Sequence, residues 1–146
     1  MFRGEAAYYK GCYYETNGIS DNPLKKDAIK WLLGVDWNPG HDWTVIAQLT
    51  GATIFDYEPT LSDSEHSPMV TLNISKKLLR QTLTLSNMLY CRVDDDSVFD
   101  RLKAEYALTD NLHLLAGADV FCGPENGTFG QYRDNTQTWV KVRYSF

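Results

Sequence analysis

The chain has 146 residues, is 43% hydrophobic and 13% aromatic, and carries a formal net charge of −5. That length suffices for a single domain, residues 1–146, with a sizeable core. The acidic balance argues against nucleic acid as a partner, and no apolar run reaches the roughly 20 residues of a membrane helix. The opening "MFRGEAAYYK" carries Arg3 and Glu5 and has no signal-peptide pattern. Cys12, Cys91 and Cys122 lie far apart, in an odd count and without metal-ligand spacing.

The expected elements are strands throughout, because apolar residues recur at every second position. The first, "FRGEAAYYKG", sets Phe2, Gly4, Ala6 and Tyr8 against Arg3, Glu5, Ala7 and Tyr9. A long polar loop, "ETNGISDNPLKKD", follows. "AIKWLLGVDW" then sets Ile29, Trp31, Leu33, Val35 and Trp37 against Ala28, Lys30, Leu32, Gly34 and Asp36. The short turn "NPGHD" leads into "DWTVIAQLTGATIFDY", where Val45, Ala47 and Leu49 oppose Ile46, Gln48 and Thr50. "EPTLSDSEHSP" is the second long loop. "MVTLNISKK" places Val70, Leu72 and Ile74 against Thr71, Asn73, Ser75 and Lys77, and a tight turn around "LLRQ" follows. "TLTLSNMLYCRV" sets Leu83, Leu85, Leu89, Cys91 and Val93 against Thr82, Thr84, Ser86, Tyr90 and Arg92.

The acidic "DDDS" joins it to "RLKAEYAL", with Leu102, Ala104, Tyr106 and Leu108 against Arg101, Lys103, Glu105 and Ala107. This strand lies in "SVFDRLKAEYALTDN", the one stretch that a helical period also fits. After "TDN", "LHLLAGADVF" sets Leu112, Leu114, Ala116, Ala118 and Val120 against His113, Leu115, Gly117 and Asp119. The long "GPENGTFGQYRDN" precedes "TQTWVKVRYSF", an eighth strand that is apolar and aromatic at every second residue up to the last.

Connections mostly alternate long and short. In an up-and-down antiparallel sheet one end then carries tight turns and both termini, and the other carries long loops. That asymmetry is typical of a transmembrane β-barrel. A soluble lipocalin-like barrel, binding a small apolar ligand, has the same period with its apolar face inward. Two features favour the membrane arrangement. Trp37, Trp43, Tyr144 and Phe146 gather at the turn end and Tyr57 lies toward the loop end, as interfacial girdles do. The polar face also collects charge. Arg3, Lys30, Lys77, Arg92, Arg101, Lys103, Lys141 and Arg143 share it with Glu5, Asp36, Glu105 and Asp119, a net of +4 in a chain of −5. Inward charges in a membrane barrel pair or face water.

The ending "TWVKVRYSF" resembles the terminal signal of Gram-negative outer-membrane β-barrels, with Val140, Val142, Tyr144 and Phe146 at the matching positions. The resemblance extends over the eight strands and implies a location in the outer membrane, contact with its lipid, and recognition of the last strand by the barrel-assembly machinery. "FRGEAAYY", "TDNLHLLAGADVFCG" and "FGQYRDN" also look like the C-terminal part of larger porin-like proteins. Such proteins begin with a signal peptide and earlier strands. The chain therefore reads either as the last eight strands of a larger barrel or as an eight-strand barrel in itself. The implied role is a pore wall for small polar or anionic solutes, or a membrane-embedded scaffold if the barrel closes at eight.

Nothing in the chain spells out catalysis, and no cofactor is expected. His41, His66 and His113 fall on a turn, a loop and a strand, without a nucleophile elbow. Asp94, Asp95 and Asp96 lack the spacing of a calcium loop and read as a solvated acidic turn. "GPENGTFG" has no Lys or following helix to make a phosphate loop. Cys91 and Cys122 fall on the apolar face as small residues.

Overall fold

The computed structural model describes residues 1–17 and 23–146. The strands are β1 (Phe2–Tyr14), β2 (Leu24–Gly40), β3 (Trp43–Ile54), β4 (Met69–Leu78), β5 (Leu83–Arg92), β6 (Ser97–Ala107), β7 (Leu112–Cys122) and β8 (Gln137–Tyr144). One short 3-10 helix, Gly130–Asn135, lies in the last connection. The strands form a single antiparallel sheet in the order β1-β2-β3-β4-β5-β6-β7-β8. The all-β, up-and-down reading of the sequence is what the chain adopts. "SVFDRLKAEYALTDN" is strand and turn, and its residues pair with β5 and β7 on either side.

The turns follow local chemistry. Gly40 pairs with Trp43 across His41 and Asp42, whose φ values of 52° and 61° make a two-residue turn with the twist that hairpins need. In the β6–β7 turn the Thr109 hydroxyl accepts from the Asn111 and Leu112 amides.

Several boundaries differ from the sequence reading. β2 begins at Leu24 rather than Ala28, and β1 runs on to Tyr14. Gly11, at φ +67°, absorbs a bulge between Tyr9 and Cys12, after which Cys12, Tyr13 and Tyr14 pair with Lys26, Lys25 and Leu24. The middle of the expected first loop, residues 18–22, lies outside the described residues. β6 begins at Ser97 rather than Arg101, which places Asp100 in the ladder opposite Leu89 and Val120.

The expected closed barrel is not formed. β1 pairs with β2 and β8 with β7, and among the described residues the other edge of each is free. The sheet is strongly staggered. Arg3, near the start of β1, leads rung by rung through Gly34, Gln48, Thr71, Tyr90 and Phe99 to Phe121 near the far end of β7. Such stagger belongs to strands tilted as in barrels. Closure at eight strands, however, demands an interior that side chains fill, and a face with surplus cations resists dry packing.

The sheet is a single layer. The chain exposes 10075 Å², against about 7,600 Å² for a compact monomer of its mass. Among the described residues nothing covers the apolar face: Leu33 is 57% exposed, Leu102 50% and Val140 73%. The sheltered strand residues Ala28, Ile54, Leu115 and Asp119 all lie on the other face, the charged one.

Candidate functional site

All twelve residues singled out for the polar face share one face of the sheet, because each cross-strand pair keeps the faces in step. Arg3 pairs with Gly34, Lys30 with Ala7 and Ala52, Lys77 with Thr84, Glu105 with Thr84 and Leu115, and Lys141 with Leu115.

The sheet brings some of these charges together. Arg101 holds Asp119 through two contacts, Nε–Oδ1 at 2.6 Å and Nη2–Oδ2 at 3.0 Å, with Gln137 donating to Oδ2 at 3.4 Å. Asp119 is only 3% exposed, so a bidentate partner is what makes its burial tolerable. Toward the turn end Glu105 gathers three partners. Lys103 approaches to 3.4 Å and His113 Nδ1 to 3.2 Å, and Arg143 reaches across from β8. Arg3 joins Asp36 at 2.6 Å. Arg92 turns to Asp94, at 2.5 Å, rather than to a strand residue.

Other charges are left over. Among the described residues Lys30, Lys77 and Lys141 have no carboxylate partner, and Lys30 lies 5.3 Å above the Tyr9 ring. Glu5, without an ion-pair partner among the described residues, and Lys30 both line a hollow of about 820 Å³ on this face. Ala7, Thr50, Met69 and Arg92 complete its wall, so five successive strands contribute, with Tyr14 and Asp63 at the loop end.

The sequence reading missed an aromatic cluster at the loop end. Tyr90, Phe99 and Phe121 stand side by side on the charged face of β5, β6 and β7, with ring centroids 6.0 Å and 4.7 Å apart. The long β7–β8 connection folds in over them. Phe129 sits 6.1 Å from Phe99 and 6.4 Å from Tyr90, and Tyr132 6.0 Å from Phe121. A latch fixes that fold. The Asp95 carboxylate accepts from the Ser97 amide and hydroxyl and from the Thr128 amide, and the Phe129 amide donates to Ser97 Oγ. Ser97 is fully buried, and Gly123, at φ +135°, passes so close that a Cβ there would sit 2.7 Å from the Ser97 Cβ. Burial by itself would raise the Asp95 pKa. The hydrogen bonds from Ser97 and Thr128 outweigh it and hold the group at about 2. "DDDS" is therefore less a solvated turn than expected: Asp94 and Asp95 are engaged by the protein itself.

The apolar face carries the terminal strand's Val140, Val142 and Tyr144, all exposed, while Phe146 lies beyond β8. It also carries an intruder. Asn87, midway along β5, donates to Asp100, and both point to the apolar side. Extending the sixth strand back through "SVFD" would have revealed Phe99 and Asp100 on opposite faces. The histidines stay apart, the cysteines are free, and no cluster of metal ligands occurs among the described residues. Comparison with protein-family models, curated proteins and solved structures found no match.

Proposed function

We propose that the sheet is part of an outer-membrane β-barrel wall, its apolar face against lipid and its charged face lining a water-filled passage for small polar or anionic solutes. The inversion of the faces carries the reading: the apolar side is uncovered, and the buried strand residues Ala28, Ile54, Leu115 and Asp119 lie on the charged side. A lipocalin-like barrel needs the opposite arrangement. On the exposed face aromatic residues flank the strands, with Trp37, Trp43, Tyr106 and Tyr144 toward the turn end and Tyr8 and Phe55 toward the loop end. That is the distribution that interfaces between lipid and water favour.

The free edges of β1 and β8 would be closed by antiparallel strands, since open edges are not tolerated in hydrocarbon. The surplus of Lys30, Lys77 and Lys141 favours a barrel wider than eight strands, because unpaired cations are costly in a packed core and cheap in water. The role is passive, and selectivity would come from the basic excess. The terminal strand would serve as the assembly signal.

The test is depth labelling after refolding into phospholipid vesicles. Spin labels at Leu33 and Leu49 should be relaxed by oxygen dissolved in the bilayer, and labels at Lys30 and Gln48 by a water-soluble nickel complex. In cells, deleting Phe146 should lower outer-membrane yield while refolding into micelles is retained. The reversed labelling pattern would overturn the reading.

A further inference from the structure

The apolar face is not smooth. A hollow of about 540 Å³ is walled by Ile74, Leu85, Leu102, Ala104, Ala116 and Ala118, spanning β4 to β7. Small side chains on β6 and β7 set its floor. It shares Trp43, Ile74 and Lys76 with a second hollow of about 600 Å³, which continues to the turn end past Trp37, Gly40 and His41. The first is lined almost wholly by carbon, and the second is rimmed by a cation, two indoles and an imidazole.

Lys76 stands where the two meet. Its pairing with Trp43 and Leu85 places it on the apolar face, unlike its neighbour Lys77. Its ammonium lies 4.6 Å above the Trp43 ring, and among the described residues it has no carboxylate partner. On a lipid-facing surface an uncompensated ammonium near a strand end sits at headgroup depth, where it attracts anionic lipid. Trp37 and Trp43 mark the same depth.

We infer that the joined hollows hold one anionic phospholipid, its phosphate on Lys76 beside His41 and Trp43 and an acyl chain in the groove that ends at Ala118. This rests on the membrane reading proposed above. Charge selects the occupant: a neutral lipid or a second apolar surface would leave Lys76 without a counter-ion. The groove crosses the strands from Lys76 through Leu85 and Ala104 to Ala116, and the stagger of the sheet carries it away from the turn end, a course that suits a hydrocarbon chain.

The experiment refolds the protein into vesicles of phosphatidylcholine with a minor fraction of phosphatidylglycerol, extracts it in mild detergent and weighs the complexes by native mass spectrometry. Retention of one phosphatidylglycerol in preference to phosphatidylcholine is expected. Lys76→Gln should reduce that preference about five-fold, the worth of one cation near a charged surface. Ala116→Leu, which fills the groove, should lower retention of both lipids, and Lys77→Gln on the opposite face should change nothing. Circular dichroism confirms that each variant folds. Equal retention of both lipids, an unchanged Lys76→Gln, an effect of Lys77→Gln as large, or a second chain in place of lipid would each overturn the inference. Failure to insert into vesicles at all would overturn the membrane reading with it. Insertion without retained lipid overturns the lipid site alone.

Discussion

Leu49 and Gln48 are adjacent in sequence and opposite in surroundings. Both sit near the middle of β3, Leu49 on the uncovered apolar face and Gln48 on the charged face opposite Thr71. If lipid covers the first and water the second, Leu49→Arg should cost roughly 2–4 kcal/mol. Gln48→Arg should cost well under half of that, because a wet wall solvates the guanidinium. Urea unfolding in phospholipid vesicles measures both, and equal costs would contradict the assignment of faces. Such residues were legible in the sequence because facing follows from a period of two alone. Asp100 was not, since an acid on an apolar face breaks the pattern by which faces are read. Lys30, Lys77 and Lys141, which the proposed passage would expose to solute, were legible as polar-face residues but not as lacking a carboxylate partner among the described residues.

At the scale of elements, the β7–β8 connection shows how a loop becomes part of a site. Read locally, "GPENGTFGQYRDN" has the glycine and asparagine of a surface loop. In the fold it is pinned by Asp95 and lays Phe129 on an aromatic row from three strands. Those rings lie far apart in sequence, so no local pattern announced them. The pin depends on charge. Asp95 titrates at about 2 in the fold against an ordinary 3.8. A depressed carboxylate pKa contributes stability that is fully present above the ordinary value and is lost as pH falls through the folded one. Pepsin, active in this range, should therefore cleave near Phe129 slowly at pH about 4 and faster toward pH about 2. Asp95→Asn should be cut readily at both, so that the difference between the two proteins disappears at the lower pH. A wild-type protein already cut as fast as the variant at pH about 4 would refute the latch.

The described residues form a staggered single-layer sheet with two free edges, and its charge distribution bears on the space it would enclose. Bidentate pairs such as Arg101–Asp119 neutralise part of the charged face, and three lysines without a carboxylate partner among the described residues leave it positive. If the sheet lines the proposed passage, planar bilayers under a salt gradient should show a preference for anions. Replacing Lys30, Lys77 and Lys141 together by Gln should move the reversal potential toward zero or beyond it, with folding unchanged. High salt should weaken the preference in the unmodified protein through screening. A selectivity indifferent to the three substitutions would separate the lysines from the passage.

The chain by itself determined eight strands, their facing and the gathering of long connections at one end. Those properties depend only on neighbours within a few residues: side-chain alternation, turn residues and the spacing between them. The tertiary structure decided which charges meet, because a period of two fixes a strand's face and not its partner's register. Arg101 could have opposed any inward residue of β7, and it is the ladder that delivers Asp119. The bulge at Gly11, the inward fold of the last connection and the open edges depend likewise on contacts across the sheet. Only there does the geometry of eight paired strands act on a single residue.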